Sequence, residues 1–531
     1  MHFPKIKNLI IHPVFFAAYQ VLFLYQYNFE DIKPLSLILP LISVLLLSSL
    51  FWFFVNFFSK RPEKAAIYTT AFIFLFFTYG RFLDIVSLPQ YKFWRYKIHS
   101  IYLILFLLIY GAIFCYRKSF KGVTRFLNII SVTLLFITLL SLLGLFIKHN
   151  VLVTKGTYEN SAKKADTGEV IGGKDISFLP DIYYIILDAY ARDDVLKKFY
   201  DFENDLTSFL EENNFYIAKK SNANYHRTRF SVPSALNFSY LEEALAHYGY
   251  KTLDPNTVEY LIRKNKTWDF LKKYGYEILA FQSGYGVTEV YNADKYYNRG
   301  SIKNELSEFS QELLHTTPVP KILEQFADRE YFFNVRRNRI MYTFDKITRL
   351  EGRSKPFFAF AHIEAPHAPF VFGPDGEKID HHGMKAGVQD ADSWVGRYGS
   401  RADYERKYRD QVTYINKKTK EMVTGILKHS KGKAIILIQA DHGPGSRYFY
   451  SNPEKSCMFE RMAILNAYYF PDNDYSLLYP EISPVNSFRV ILNKYFKTGL
   501  SLLKDDAYNS LKITQYESLY RVTDFESNCS K

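Results

Sequence analysis

Three short apolar runs in this 531-residue chain each end on side chains that bind metals or move protons. IYYIIL (182–187) runs straight into Asp188. FFAFAHI (357–363) carries His362 and leads on to His367, and AIILI (434–438) leads to Gln439, Asp441 and His442. Taken singly, an Asp after a strand is often a helix cap and a lone His is often a packed or surface side chain. Carboxylates and imidazoles arriving together at equivalent strand ends point instead to a metal site, which needs ligands converging from separate elements. A fourth segment, SNANYHRTRFSVPSALN (221–237), offers the hydroxyls of Thr228, Ser231 and Ser234 near a predicted helix start. Unpaired N–H groups and the helix dipole there favour an anion such as phosphate or sulfate. Pro233 suits the first turn of that helix. Spacing alone does not choose among the three hydroxyls, and an N-cap is the plain alternative for each.

The elements that must position these groups read as an α/β domain from Pro180 onward, with short apolar runs alternating with longer periodic ones. Strands are predicted at Ile182–Leu187, Tyr276–Phe281, Phe357–Ile363 and Ala434–Ile438, with helical stretches including Val258–Lys273 and Tyr404–Leu427. Ligands in such sheets bind beyond the carboxyl ends of the strands, where the residues above fall. The Tyr404–Leu427 stretch is expected to pack an apolar stripe on the sheet, with Gln411, Tyr414 and Asn416 in reach of the cleft. His381 and His382 are expected to be exposed, and residues 303–350 read as a long polar helical region without a chemical role.

The first 149 residues are of another kind. They hold 15 Lys and Arg against 4 Asp and Glu, so most of the chain's net charge of +13 sits in its most apolar third. The remaining 382 residues carry 52 basic and 50 acidic side chains. That distribution excludes a basic soluble protein seeking nucleic acid, and the hydrophobic content excludes a disordered one. Five segments approach the roughly 20 apolar residues that cross a bilayer: 8–29, 35–58, 65–80, 101–116 and 126–147. Lys and Arg stay on the cytoplasmic side of short loops. With the N-terminus inside, nine flank the inner loops and five, Lys33, Arg81, Lys92, Arg95 and Lys97, fall in outer ones. An odd number of spans puts the rest of the chain on the outer face. The expected organisation is therefore a transmembrane helical domain (1–149), a linker (150–180) and an outer domain (181–531). Cys457 and Cys529 are far apart in sequence, and the three cysteines form neither a disulfide framework nor a metal spacing.

The order strand–Asp188, a Thr-containing turn, APHAPF (365–370), then strand–Asp441-His442-Gly443 resembles the alkaline phosphatase superfamily. Within it, the membrane-bound sulfatase-like group that includes lipoteichoic acid synthases and phosphoethanolamine transferases is the most similar, and its five transmembrane helices match the whole chain. The resemblance implies an N-terminal bundle of about five transmembrane α-helices and an α/β/α, sulfatase-type outer domain. It further implies that Asp188, Thr228, Asp441 and His442 hold one divalent metal ion (Mn, Mg or Zn). Thr228 would be the nucleophile and form a covalent intermediate, with His367, and secondarily His362, touching substrate. The implied protein is a multi-pass enzyme of the bacterial cytoplasmic (inner) membrane. It would transfer or hydrolyse phosphate, or sulfate, esters of a lipid-borne or glycan substrate on the outer face.

Two departures narrow that expectation. No Cys/Ser-x-Pro-x-Arg signature is present, so formylglycine chemistry is not expected. No His follows His442, although members with a second metal usually supply one, so a single metal is expected. Asp188 also stands where lipoteichoic acid synthases use Glu. The alternatives are release of the group to water by a phosphodiesterase or sulfatase, and a non-catalytic envelope protein that keeps the fold for binding.

Overall fold

The computed structural model describes residues 9–27, 35–87, 98–116, 119–154, 178–250, 255–299, 308–320, 322, 329–350, 353–381, 390–510 and 519–529. The chain divides into two units, one of residues 1–166 with 300–327 and one of residues 167–299 with 328–531.

The first unit contains helices His12–Tyr27, Leu35–Ser59, Pro62–Ser87, Ile98–Cys115 and Lys121–Thr154. Among the described residues, three stretches are long and apolar enough to cross a membrane: Leu37–Ser59, Pro62–Leu83 and Lys121–Ile147. Arg81, expected in an outer loop, lies inside the third helix with its guanidinium 5.0 Å from the centre of the Phe23 ring. Such stacking lets a long cationic side chain remain within an apolar helix. The unit also contains the short helix Glu308–His315, part of the polar region without an assigned role. Its Phe309 and Leu313 are buried with Phe16, Val21, Leu24, Val44 and Phe77, and Tyr25 meets Phe309 edge to face. Gly80 donates its N–H to the carbonyl of Thr316 at 2.8 Å. The range 181–531 is thus interrupted: residues 300–327 group with the helices of the first unit.

The second unit is built on a seven-stranded sheet. Its strands are β1 (Ile182–Leu187), β2 (Tyr216–Ile217), β3 (Glu277–Phe281), β4 (Lys295–Tyr297), β5 (Phe357–Ile363), β6 (Ile435–Gln439) and β7 (Asn466–Tyr469), in the order β2-β7-β6-β1-β5-β3-β4. β6, β1, β5, β3 and β4 run parallel, while β7 and β2 pair antiparallel at one edge. Parallel strands covered on both faces read as unbroken apolar runs. The alternation of Tyr183, Ile185 and Leu187 into one core and Ile182, Tyr184 and Ile186 into the other shows both faces of β1 covered. Helices Arg329–Thr348 and Arg401–Ser430 pack on the first face. Thr228–Leu236, Lys266–Lys273 and Pro484–Phe496 pack on the second.

Three expectations are corrected here. The stretch Val258–Lys273 is two helices, Pro255–Arg263 and Lys266–Lys273, because Asn265 leaves the helix and accepts a bond from the Trp268 N–H at 2.9 Å. Cys457 and Cys529 are disulfide-bonded, closing 72 residues of chain that the fold returns to one place. His381 is buried, its ring stacked on Phe333 with Nε2–H donating to the Phe370 carbonyl at 2.8 Å. His382 lies outside the described residues.

Candidate metal and nucleophile site

Strand register brings the candidate residues together. Ile186 of β1 stands opposite His362 of β5 and Gln439 of β6, so the three strands end level and Asp188 follows beside Glu364 and Asp441. The Asp188 N–H bonds the Ile363 carbonyl at 3.0 Å. Ala189 then takes a left-handed conformation (φ 62°), which costs a non-glycine residue about 1–3 kcal/mol and is kept where surroundings demand it. Here its N–H reaches Asp441 Oδ1 at 3.3 Å and its carbonyl accepts from Tyr408 at 2.8 Å.

Asp188, Thr228, His367 and His442 line one cavity of about 270 Å³, together with Arg227, Arg229, Tyr285, Glu364, Tyr450 and Arg461. Thr228 is the first residue of its nine-residue helix, and its Oγ1 is 3.4 Å from His442 Nε2. Ser231 and Ser234 turn away, donating to the carbonyls of Tyr225 and Ser239 at 2.7 and 2.8 Å. Of the three hydroxyls, only that of Thr228 lines the cavity. Pro233 falls in the second turn, not the first, because the helix begins at Thr228.

His442 Nε2 lies 3.6 Å from both Asp188 Oδ1 and Asp441 Oδ2, and His362 Nε2 lies 3.4 Å from Asp188 Oδ2. Among the described residues, two overlapping groups could hold a metal ion: Asp188 with His367 and His442, and Asp188 with His362 and Asp441. The donor chemistry fits. Asp188 Oδ1, Asp441 Oδ2 and His362 Nε2 are buried without a hydrogen-bond partner, a costly state for carboxylate oxygens unless a cation completes it. The His442 Nδ1–H donates to the Gly443 carbonyl at 2.8 Å, which leaves Nε2 with a lone pair. Burial and the nearby Arg461 lower the pKa of His442, which favours that neutral, ligating form. Burial acts to raise the pKa of Asp188, but the imidazoles of His367 and His362 outweigh it and hold the group ionised.

Gly443 is explained by close approach. A Cβ there would stand 2.1 Å from the Glu460 carbonyl oxygen, and its N–H bonds the Arg461 carbonyl at 2.7 Å.

Several supporting residues carry no sequence signal of their own. Arg336, from the region without an assigned role, donates to the carbonyls of Glu364 and His367 at 2.6 and 3.1 Å. Arg339 pairs with Glu364 at 2.5 Å. Gln411 serves the His367 loop rather than the cavity, accepting from the Val371 N–H at 2.7 Å and donating to the Pro366 carbonyl at 2.9 Å. Tyr414 packs against Phe372, and Asn416 bonds Tyr190 and Asp205, so neither lines the cavity. Asp390 stands 3.4 Å from His367 Nε2 and pairs with Arg461 at 2.9 Å, all three buried. Arg227 and Arg229 flank Thr228 and line the cavity; neither is among the candidates read from the sequence, although two basic side chains on either side of a hydroxyl are a sign of an anion site.

A mostly parallel α/β sheet covered on both faces, with carboxylates, imidazoles and a hydroxyl converging beyond its strand ends, matches an α/β domain of the hydrolase or transferase type. The family model for Sulfatase matches residues 203–481, and the chain belongs to the Sulfatase family, within the alkaline phosphatase superfamily. No curated protein matches the chain. Among solved structures, the zinc complex of the C-terminal periplasmic domain of EptC from Escherichia coli is similar at 11% identity (TM-score 0.41; 66% of this chain, 94% of that one). The corresponding domain of phosphoethanolamine transferase EptC from Campylobacter jejuni is similar at 14% identity (TM-score 0.36; 60% and 90%). The integral membrane lipooligosaccharide phosphoethanolamine transferase A from Neisseria meningitidis is similar at 12% identity (TM-score 0.39) and aligns over 91% of this chain and 95% of its own.

Proposed function

We propose that this protein is a membrane-anchored, metal-dependent transferase that moves a phosphate-ester group from a lipid-borne donor through a covalent bond to Thr228. The observation that carries the reading is Thr228 Oγ1, 3.4 Å from His442 Nε2, in a cavity beside the unpartnered oxygens of Asp188 and Asp441. Asp188, Thr228, Asp441 and His442 would hold one divalent ion, which lowers the pKa of a bound hydroxyl and neutralises charge on the transferred group. Thr228 Oγ attacks phosphorus as its proton passes to solvent, a Thr228 O–P bond forms, and the bond to the leaving alcohol breaks. His367, which lines the cavity, would protonate the departing oxygen. An acceptor alcohol, on a lipid or envelope glycan, then displaces Thr228 from phosphorus and the hydroxyl is restored. Arg227, Arg229 and Arg461 favour the anionic group in the cavity.

The apolar helices would keep the site near lipid substrate, raising its effective concentration. The Cys457–Cys529 disulfide supports an extracytoplasmic location for the second unit, since such bonds persist in oxidising compartments. That location, with the catalytic unit outside the bacterial inner membrane, agrees with the basic inner loops of the sequence. The test is purified full-length protein with a phosphodiester reporter, with and without an acceptor alcohol. A transferred product is expected, and release to water alone would make the protein a phosphodiesterase. Unchanged turnover in Thr228→Ala would refute the nucleophile.

A further inference from the structure

Arg461 is 1% exposed, yet it lines the cavity that holds Thr228. Its Nε donates to the carbonyl of His226 at 2.9 Å, two residues before Thr228. Nη1 donates to the carbonyl of Gly443 at 3.2 Å and to Asp390 Oδ2 at 2.9 Å, and Nη2 reaches the Tyr450 hydroxyl at 3.4 Å. A guanidinium has five N–H donors, so one on Nη2 remains. The same Asp390 Oδ2 stands 3.4 Å from His367 Nε2, while His367 Nδ1 is committed to the Ala368 carbonyl. A carboxylate and an imidazole nitrogen that face each other make half of a divalent-cation site. At that carboxylate the structure holds a guanidinium.

We propose that Arg461 is the permanent cation of this site, taking the role beside Asp390 and His367 that a second divalent ion would otherwise fill. The cavity then needs a single exchangeable metal, and the remaining Nη2–H is the donor offered to the substrate's anionic oxygen. A second dication close to a buried guanidinium is strongly repelled where little water screens it. The lack of any His after His442 agrees with a site that does not build a second metal position. The inference rests on the reading that Asp188, Thr228, Asp441 and His442 hold the one metal.

The experiment is metal content by elemental mass spectrometry on full-length protein in detergent, saturated with Zn²⁺ and gel-filtered, with inorganic phosphate affinity as a second readout. The wild type is expected to hold one ion per chain, Arg461→His two, and Arg461→Lys one. Arg461→Lys is expected to bind phosphate within a few-fold of wild type, while Arg461→Gln loses about tenfold or more, the scale of one charge-assisted hydrogen bond. Two ions in the wild type would overturn the proposal, as would a folded Arg461→His that still holds one. If Arg461→His does not fold, the wild-type count and the contrast between Lys and Gln decide: equal phosphate affinities in those two variants overturn it. Asp441→Asn separates the two ideas. Retention of the single ion in that variant refutes the assigned metal ligands rather than the role of Arg461.

Discussion

Asp390→Asn isolates the buried charge that stands between His367 and Arg461. Burial acts to raise the pKa of this carboxyl, but His367 and Arg461 outweigh burial and depress it from 3.8 to about 2. At about 1.4 kcal/mol per pH unit, that depression corresponds to roughly 2 kcal/mol of stability at neutral pH. A depressed folded pKa contributes stability that is present above the unfolded value near 4 and is lost as pH falls toward 2. Asn resembles the protonated acid in shape and charge but must also turn its amide group toward either Arg461 or Tyr404, whose hydroxyl now donates to Asp390 Oδ1 at 2.6 Å. The expected loss at pH 7 therefore lies between about 2 kcal/mol and the 3–5 kcal/mol typical of a broken buried pair. The assay is denaturant unfolding of the detergent-solubilised protein, followed by near-ultraviolet circular dichroism at pH values from 7 down to 3. Wild type and variant should begin to converge only below about pH 4, with roughly half of the difference gone by pH 3 and the rest lost as pH falls through about 2. A difference below about 0.5 kcal/mol at pH 7, or two parallel curves across the whole range, would refute the assignment of Asp390 as an ionised partner of Arg461.

Thr228→Ala should lower turnover of a phosphodiester reporter by about a thousandfold or more, while Thr228→Ser keeps measurable activity, because only the nucleophilic oxygen is at issue. Gly443→Ala must push a methyl group against the Glu460 carbonyl, so it should destabilise the fold by about 1–3 kcal/mol and weaken metal retention, read by melting and metal content. Cys529→Ser releases a 72-residue closure, a loss of about 4 kcal/mol by chain entropy, and should lower the melting temperature of the second unit by several degrees. The same drop should follow reduction of the wild type.

How far the sequence could be read depended on whether one dominant force shaped each segment. β1 and β5 have the limits read from their apolar runs, and β3 and β6 differ by a residue, because continuous burial on both faces leaves an unbroken hydrophobic signature. β2 and β4 are too short for any period, and β7 begins with Asn466, a buried amide bonded to Ser221 and the Ile482 carbonyl, which hides the strand. Asp188, His362, Asp441 and His442 were legible because each follows or ends a strand, so one-dimensional order maps onto one sheet edge. Asp390 and Arg461 come from a loop and a five-residue helix. Their neighbours in sequence carry no pattern, and only the return of the chain brings them to His367. The disulfide was missed for the same reason.

The return of residues 300–327 to the helices of the first unit bears on how the catalytic unit can be handled as a separate piece. A fragment begun at Thr167 would sever the described N-terminal helices but retain Glu308–His315, whose Phe309 and Leu313 would lose the apolar partners that now cover them. Such a fragment would carry a sticky internal loop and be prone to self-association at a surface that does not exist in the intact protein. A well-behaved soluble form would need two cuts, one ahead of β1 and one that excises this insertion and rejoins the chain.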